Sequence, residues 1–272
     1  MGAAQIEAQA YELDSTEAIF NGVRLSTRVT PAEHAVEGGD WCETFVLSGD
    51  VVALSIGDVC GHGAGAFRAM RVARAAVRDA AFRGFDPAQT LAAANLAVCA
   101  FGAETYATAL FALLDTRRGT LSFANAGHPP PLMVGPAGSR FLSYPVCDLP
   151  LGIRGIIKPA VHVESKAAHT LLVLYTDGVT EHERQDLRGA AQLRSAATAA
   201  YRSSMPPTAR IIEQLMLLGA SNPDDASILA AWTPRAAIVR HGNYLRPAEH
   251  AYPRFAATSP RPRPQRIGSA RR

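Results

Sequence analysis

One stretch near residue 51 limits most strongly what this chain can fold into. From Val51 to Gly65 it reads V-V-A-L-S-I-G-D-V-C-G-H-G-A-G, an apolar run that ends in a glycine-rich turn. An apolar run rich in Val, Leu and Ile predicts a strand that is buried on both faces. A carboxylate at the end of such a strand is costly unless its charge is paired or bound to a metal ion. The stretch therefore predicts a covered strand whose aspartate, Asp58, needs a partner.

Composition limits the class of protein. The chain has 272 residues, of which 48% are hydrophobic and 19% are charged, and this suits one large domain or two small ones with a sizeable core. The sequence has no apolar run of about 18 residues or more and no signal-peptide pattern at its N-terminus. Its four cysteines are far apart, which favours reduced thiols over a disulfide framework. We therefore expect a cytoplasmic protein without a membrane segment.

The charge is unevenly distributed along the chain. From Arg235 to the C-terminus the sequence has nine arginines, one acid and several prolines, whereas the part before it has more acids than bases. This tail lacks the apolar periodicity of a packed domain, so we expect it to be disordered. Basic tails also bind acidic partners, but nucleic-acid binding is not the favoured interpretation. The predicted parts are a short N-terminal extension over 1–22, a main domain over 23–234 and a basic Arg/Pro-rich tail over 235–272.

Short strand patterns joined by hairpin turns are interrupted by two pairs of helical patterns. There is no regular alternation of strand and helix, and this favours an α+β fold with a largely antiparallel sheet. Strands are predicted over 23–29, 44–47, 106–114, 120–126, 132–134, 170–175 and 226–232, in addition to the strand from Val51. Helices are predicted over 64–82, 87–101, 188–201 and 207–218, with one short helix within 1–20.

Four acidic positions share one sequence context. Each lies beside a strongly apolar strand pattern and next to a glycine, a proline or a second aspartate. Taken singly, an aspartate in such a place is usually a turn former. As a set at converging strand ends they repel one another unless cations compensate, and oxygen-only ligands suit Mg²⁺ or Mn²⁺. The four positions are Asp40, Asp58, Asp177 and the pair Asp224-Asp225.

Six short blocks occur in a fixed order. They are G-G-D-W, G-D-V-C-G-H-G, A-N-A-G-H-P-P-P, L-P-L-G-I, L-Y-T-D-G-V-T-E and P-D-D-A-S-I-L. Together they resemble the SpoIIE-like branch of the metal-dependent (PPM-type) serine/threonine protein phosphatases, from about Val23 to Trp232. The resemblance implies an antiparallel β-sandwich flanked by helix pairs, with a phosphatase domain over 23–234. It also implies that water activated by two Mn²⁺ or Mg²⁺ ions hydrolyses phosphoserine or phosphothreonine.

The resemblance assigns roles to the acidic positions. Asp40 matches a metal ligand and Asp58 the carboxylate that bridges both ions, with the backbone carbonyl of Val59 as a further ligand. Asp177 matches a ligand of one ion. In the last block Asp224 aligns with the ligand, and Asp225 is the alternative because the alignment is ambiguous by one residue.

Other positions have two interpretations each. His62 either protonates the departing serine alkoxide or orders its loop, and His128 is expected to make a structural hydrogen bond. Glu43 is interpreted as an outer-shell acid of the site. The two helices over 64–101 either simply pack on the sheet or, as in the family, act as a switch that completes the metal site; whether they form a homodimer is open.

The expected function is that of a serine/threonine protein phosphatase. By family analogy its substrate is a phosphorylated regulatory protein, such as an anti-anti-sigma (STAS-type) protein in bacterial partner switching. The alternative is a catalytically weak, phosphatase-like binding module that sequesters a regulatory partner. A phosphatase of small molecules would differ from both by fast turnover of free phosphate esters.

Overall fold

The computed structural model describes residues 17–30, 38–102, 105–142, 148–165, 169–180, 186–203, 205–209, 212 and 224–234. Within these ranges the chain forms eleven β-strands, three α-helices and a short 3-10 turn. The predicted tail over 235–272 and most of the predicted extension over 1–22 lie outside the described residues, as does most of the helix predicted over 207–218. Among the described helices, none is both long and apolar enough to cross a membrane.

Two helices are inserted after the fourth strand and one after the tenth. The strands are β1 (Ala18–Phe20), β2 (Val23–Thr30), β3 (Asp40–Ser48), β4 (Val51–Val59), β5 (Ala107–Asp115), β6 (Thr120–Ala126), β7 (Leu132–Gly135), β8 (Gly138–Phe141), β9 (His162–Ser165), β10 (Thr170–Tyr175) and β11 (Ala226–Thr233). The helices are α1 (Gly63–Phe82), α2 (Pro87–Phe101) and α3 (Asp186–Arg202), and the 3-10 turn spans Asp177–Val179.

The strands form two antiparallel sheets that pack face to face. One sheet has six strands in the order β1-β2-β11-β10-β7-β8, and the other has five in the order β3-β4-β5-β6-β9. Apolar side chains of β2, β10 and β11 meet those of β4, β5 and β6 in the core between the sheets. The predicted α+β fold with an antiparallel β-sandwich is therefore confirmed.

Helices cover the outer faces of this sandwich. α1 and α2 pack on the five-stranded sheet, and α3 packs on the six-stranded sheet. Because helices cover the outer face, strand β4 contributes to two cores. Leu54 and Ile56 belong to the core between the sheets, whereas Ala53 belongs to the core under the helices. Both faces of β4 are buried, which explains why its sequence shows no alternation of polar and apolar residues.

Some strand boundaries differ from the sequence-based expectation. β3 begins at Asp40 rather than at residue 44, because its pairing with β4 continues to the Asp40–Asp58 pair. Ala18–Phe20 form a strand against β2 rather than part of a helix, so the six-stranded sheet begins before residue 23. The short strands β8 and β9 were not predicted, since neither contains a fully buried residue or an apolar run.

A buried acid connects α1 to the sheet. Glu43 of β3 is only 5% exposed, and its Oε2 lies 2.9 Å from Nε of Arg74 and 3.5 Å from Nη1 of Arg78 on α1. The guanidinium of Arg78 also lies 5.4 Å from the ring centre of Phe45. The interpretation of Glu43 as an outer-shell acid of the metal site is therefore corrected, because this carboxylate holds the helix on the sheet.

Replacing Glu43 by Gln is expected to lower the free energy of unfolding by about 1.5–3 kcal/mol, since buried hydrogen bonds between charged groups are weakened. The control is Asp79→Asn, which makes the same change in the exposed pair of Asp79 and Arg83 on α1. Asp79→Asn is expected to lower the free energy of unfolding by at most about 0.5 kcal/mol. Urea unfolding of both variants measures the difference, and equal losses would show that Glu43 contributes no more than a surface ion pair.

Candidate metal centre

Two aspartates face each other across neighbouring strands at one end of the five-stranded sheet. Asp40 is the first residue of β3, Asp58 is the last but one of β4, and the two are direct partners in the β3–β4 ladder. Thr108 of β5 lies opposite Asp58 on its other side. Like charges placed directly opposite each other destabilise a sheet, so this pair requires a cation or a shared proton.

The other acidic positions come from the six-stranded sheet. Asp177 follows β10, whereas Asp224 and Asp225 directly precede β11. β10 and β11 are antiparallel neighbours, so the end of β10 lies beside the start of β11. The backbone N–H of Gly39 donates to Oδ2 of Asp225 at 2.7 Å, which joins this group to the start of β3. We refer to Asp40, Asp58, Asp177, Asp224 and Asp225 as the acidic cluster.

Members of the acidic cluster raise one another's pKa. Burial, followed by the charges of Asp177 and Asp224, raises the pKa of Asp58 to about 7. Burial and the charge of Asp58 hold the pKa of Asp40 well above its usual range, although a hydrogen bond from Thr176 lowers it. The pKa of Asp177 is raised mainly by burial. A bound cation relieves such repulsion, so the acidic cluster fits a cation on electrostatic grounds.

The chemistry of the donors narrows the choice of cation. Carboxylate oxygens select hard ions such as Mg²⁺ or Mn²⁺ over the softer metals that prefer sulfur or nitrogen. Among the described residues, no three Asp, Glu, His or Cys side chains are arranged closely enough to hold one ion between them. Mg²⁺ usually keeps several waters and takes only one or two carboxylates directly. The acidic cluster therefore fits hydrated ions better than a closed cage of ligands.

The two neighbouring aspartates before β11 have different surroundings. Asp225 is buried, and its carboxylate accepts the hydrogen bond from Gly39. Asp224 is exposed; its Oδ1 accepts from the backbone N–H of Asp225 at 2.8 Å, and its charge acts on both Asp58 and Asp177. These surroundings favour Asp224 as the ligand and Asp225 as a structural residue, in line with the first of the two sequence alternatives.

The end of β4 and the glycine-rich turn after it each carry one more predicted site residue. The backbone N–H of Val59 donates to the carbonyl of Gly39 at 3.2 Å, which places Val59 beside the start of β3. Gly61 and Gly63 have φ angles of +98° and +75°, which favour glycine and turn the chain into α1. His62 precedes α1 with an exposed side chain that makes no capping hydrogen bond, so both of its predicted roles remain open.

His128 is buried behind the site rather than in it. Its Nδ1 lies 2.9 Å from Oγ1 of Thr108, the residue opposite Asp58. Asn125 accepts from the backbone N–H of His128 and donates to its carbonyl, each at 2.8 Å. The predicted structural hydrogen bond of His128 is therefore confirmed. Burial lowers the pKa of His128 to about 3, so its ring is neutral near pH 7.

Two threonines near the acidic cluster were missed from the sequence. Thr108 supports His128, and Thr176 donates from Oγ1 to Oδ2 of Asp40 at 2.7 Å. Neither residue type is a typical ligand, and their partners are far away along the chain. The one available signal was the position of Thr176, which is a polar residue between a buried strand and Asp177.

Comparison with known families decides the assignment. The family model described as Stage II sporulation protein E (SpoIIE) matches residues 48–234, a range that contains four members of the acidic cluster. This chain belongs to the SpoIIE family. The predicted resemblance is thereby confirmed, and the SpoIIE-family match covers all of β4 to β11.

Solved structures show which fold the SpoIIE-family chain has. The RsbU and RsbW domains of Rv1364c from Mycobacterium tuberculosis match it with 28% identity and a TM-score of 0.70, over 78% of this chain and 60% of that chain. The PP2C phosphatase domain of SpoIIE from Bacillus subtilis, solved with a fragment of its regulatory domain, matches with 19% identity and a TM-score of 0.64, over 78% and 64%. The catalytic domain of the serine/threonine phosphatase PstP, solved with 2 manganese ions, matches with 15% identity and a TM-score of 0.58, over 78% and 98%. The fold is therefore that of the PPM-type phosphatases.

A curated relative gives the extent of the shared part. Protein IcfG from Synechocystis sp. is 26% identical over an alignment of 237 residues, and the match covers 71% of this chain and 36% of IcfG. The SpoIIE-family chain thus spans about a third of the length of this curated relative. What the two proteins share is this part of IcfG, not the whole of it.

Proposed function

We propose that this chain is a metal-dependent serine/threonine protein phosphatase, which hydrolyses phosphoserine or phosphothreonine on a regulatory protein. The observation that carries the proposal is the acidic cluster, in which carboxylates from both sheets meet at one edge of the sandwich and raise one another's pKa. The cofactor would be two Mn²⁺ or Mg²⁺ ions. Solved relatives with magnesium or manganese support this choice of ion.

Each site residue has a task in this proposal. Asp40, Asp58, Asp177 and Asp224 would hold the ions, together with the backbone carbonyl of Val59. When bound, the ions would lower the pKa of a water molecule and neutralise the phosphoryl oxygens. His62 is exposed at the start of α1, where its imidazole would donate a proton to the leaving serine oxygen.

Two relatives support the proposed class of substrate. Rv1364c combines RsbU and RsbW domains, and another solved relative, with 22% identity and a TM-score of 0.56, is described as the bacterial stressosome, a modular signalling system. These relatives support a phosphorylated regulatory protein of the partner-switching type, such as an anti-anti-sigma (STAS-type) protein. The cytoplasm is the compartment in which such a protein is expected. A binding module without activity is less favoured, because every predicted carboxylate ligand is present in the acidic cluster.

The proposal is tested by phosphate release from an aryl phosphate and from a phosphoserine protein. We expect Mn²⁺-dependent release that EDTA abolishes. Loss of an outer-shell partner lowers activity at metal sites by up to about 100-fold. Loss of a direct ligand costs more, so Asp224→Asn is expected to lower the rate of phosphate release by at least about 100-fold. The matched variant Asp225→Asn keeps an oxygen that accepts from Gly39 and is expected to lose less than about tenfold.

The outcomes separate the alternatives. If Asp225→Asn abolishes release and Asp224→Asn does not, the ligand is Asp225 and the alignment shifts by one residue. If the folded wild type binds Mn²⁺ but releases no phosphate from either substrate, the binding module replaces the phosphatase. Fast release from the aryl phosphate with none from the protein would indicate an enzyme that acts on small molecules.

A further inference from the structure

Thr176 makes hydrogen bonds to two other strands although it lies in neither of them. It follows Tyr175, the last residue of β10, and is 0% exposed. Its backbone N–H donates to the carbonyl of Ser227 in β11 at 3.0 Å. The N–H of Ser227 donates back to Oγ1 of Thr176 at 2.8 Å, and this Oγ1 lies 2.7 Å from Oδ2 of Asp40 in β3.

These contacts determine where the hydroxyl proton of Thr176 points. A hydroxyl group has one proton to donate and accepts through its oxygen lone pairs. The N–H of Ser227 can only donate, so it occupies a lone pair of Oγ1 and leaves the proton for Asp40. The side chain of Thr176 is thus held in one orientation by β11, and in that orientation its hydroxyl donates to Oδ2 of Asp40.

The bond from Thr176 to Asp40 joins the two sheets at the acidic cluster. β3 belongs to the five-stranded sheet, whereas β10 and β11 belong to the six-stranded sheet. A second bond crosses at the same place, from the N–H of Gly39 to Asp225. Through these two bonds Asp40 contacts the segment after β10 and Gly39 contacts the segment before β11. These two segments carry the aspartates of the six-stranded sheet. The direction of the Asp40 carboxylate is therefore set from the opposite sheet.

We propose that Thr176 is a positioning residue of the metal centre. Its hydroxyl holds Oδ2 of Asp40, so the Asp40 carboxylate would keep one orientation toward a bound ion, next to the segment that carries Asp177. This role rests on the proposed function, because it takes Asp40 and Asp177 as ligands. Partners that orient ligands typically contribute a factor of about 10–100 to metal affinity.

The test compares Mn²⁺ binding by variants of the full chain, measured by isothermal titration calorimetry. Thr176→Val keeps the shape of the side chain but has no hydroxyl, and we expect it to raise the dissociation constant for Mn²⁺ by about 10–100-fold. Thr176→Ser retains the hydroxyl and is expected to stay within about threefold of the wild type. The matched control is Thr90→Val, which removes the hydroxyl of another fully buried threonine, in α2, and leaves Mn²⁺ affinity unchanged.

Urea unfolding in EDTA distinguishes this role from a purely structural one. A purely structural role would lower the unfolding midpoint of Thr176→Val and leave its Mn²⁺ affinity equal to that of the wild type, which overturns the proposal. If Thr176→Val does not fold, Thr176→Cys takes its place, since a thiol of similar size is only a weak donor. Weaker Mn²⁺ binding by Thr176→Cys than by Thr176→Ser supports the proposal, and equal binding overturns it. A wild type that binds no Mn²⁺ overturns the proposed function and this role together.

Discussion

Replacing Asp58 by Asn is expected to abolish Mn²⁺ binding and, at the same time, to make the metal-free protein more stable at pH 8. The first effect follows if Asp58 bridges the ions, because an amide carries no charge and cannot serve two cations. The second effect follows from the metal-free structure, in which Asp58 is crowded by Asp177 and Asp224. The same substitution therefore has effects of opposite sign with and without metal.

The sign of the stability effect comes from the pKa of Asp58, which burial and the neighbouring charges raise from 3.8 to about 7. The unfolded chain loses this proton near pH 4, whereas the folded protein keeps it until about pH 7. The wild type in EDTA therefore loses stability as the pH rises from about 4 to 7, and the full loss remains above pH 7. At 1.36 kcal/mol per pKa unit, Asp58→Asn is expected to raise the free energy of unfolding in EDTA above that of the wild type by about 2–4 kcal/mol at pH 8 and by little at pH 4.

Urea unfolding at pH 4 and pH 8, with EDTA or with Mn²⁺, measures both effects. Mn²⁺ at about 1,000 times its dissociation constant stabilises the wild type by about 4.1 kcal/mol and leaves Asp58→Asn unchanged, which cancels or reverses the advantage of the variant at pH 8. Asp50→Asn is the control, since Asp50 precedes β4 at its other end and is paired with Arg117. A metal-free Asp58→Asn protein that is no more stable than the wild type at pH 8 contradicts the account of repulsion.

Replacing Gly178 by Ala is expected to destabilise the protein by about 3 kcal/mol or more and to abolish Mn²⁺ binding. A Cβ on Gly178 would lie 1.9 Å from the backbone oxygen of Asp225. Since this neighbour is backbone, no side-chain rotation relieves the contact. The start of β11 must therefore move away from Asp177, and Asp224 and Asp225 move with it.

Gly49→Ala is the matched control for Gly178→Ala. Gly49 lies in the turn between β3 and β4, and a Cβ there would meet no atom within 4 Å. The control is expected to unfold within about 0.5 kcal/mol of the wild type and to bind Mn²⁺ normally. Mn²⁺ titration and urea unfolding read out both proteins, and normal binding by Gly178→Ala would show that the site tolerates a shift of β11.

Sequence reasoning succeeded where a single segment carries the signal. The apolar run from Val51 predicted β4, and the helical pattern over 87–101 predicted α2, where the Asp86 side chain accepts from the N–H of Gln89 at 2.8 Å. The acidic positions were found in the same way, because each stands beside an apolar run. Such signals are local, so they need no knowledge of which strands are neighbours.

Sequence reasoning failed where the role of a residue depends on a partner that is distant in sequence. Glu43 was interpreted by analogy with an acidic residue of the family in the block after G-G-D-W, but alternate residues of a strand point to opposite faces, and the partners of Glu43 are on α1. The start of β3 and the role of Thr176 depend on pairing across strands and sheets. No local pattern reports these contacts, and the positions of Thr176 and Asp40 differ by 136 along the chain.

The place of β11 in the sheet has a consequence for biosynthesis. β11 lies between β2, near the beginning of the chain, and β10, and the bond from Gly39 to Asp225 spans 186 positions. During synthesis, Asp40, Asp58 and Asp177 are already part of the nascent chain before the ribosome adds Asp224. Until β11 inserts, the six-stranded sheet is split and its acidic edge is incomplete. If the acidic cluster holds the ions as proposed, a product that ends before β11 lacks Asp224 and Asp225 and has only part of the site.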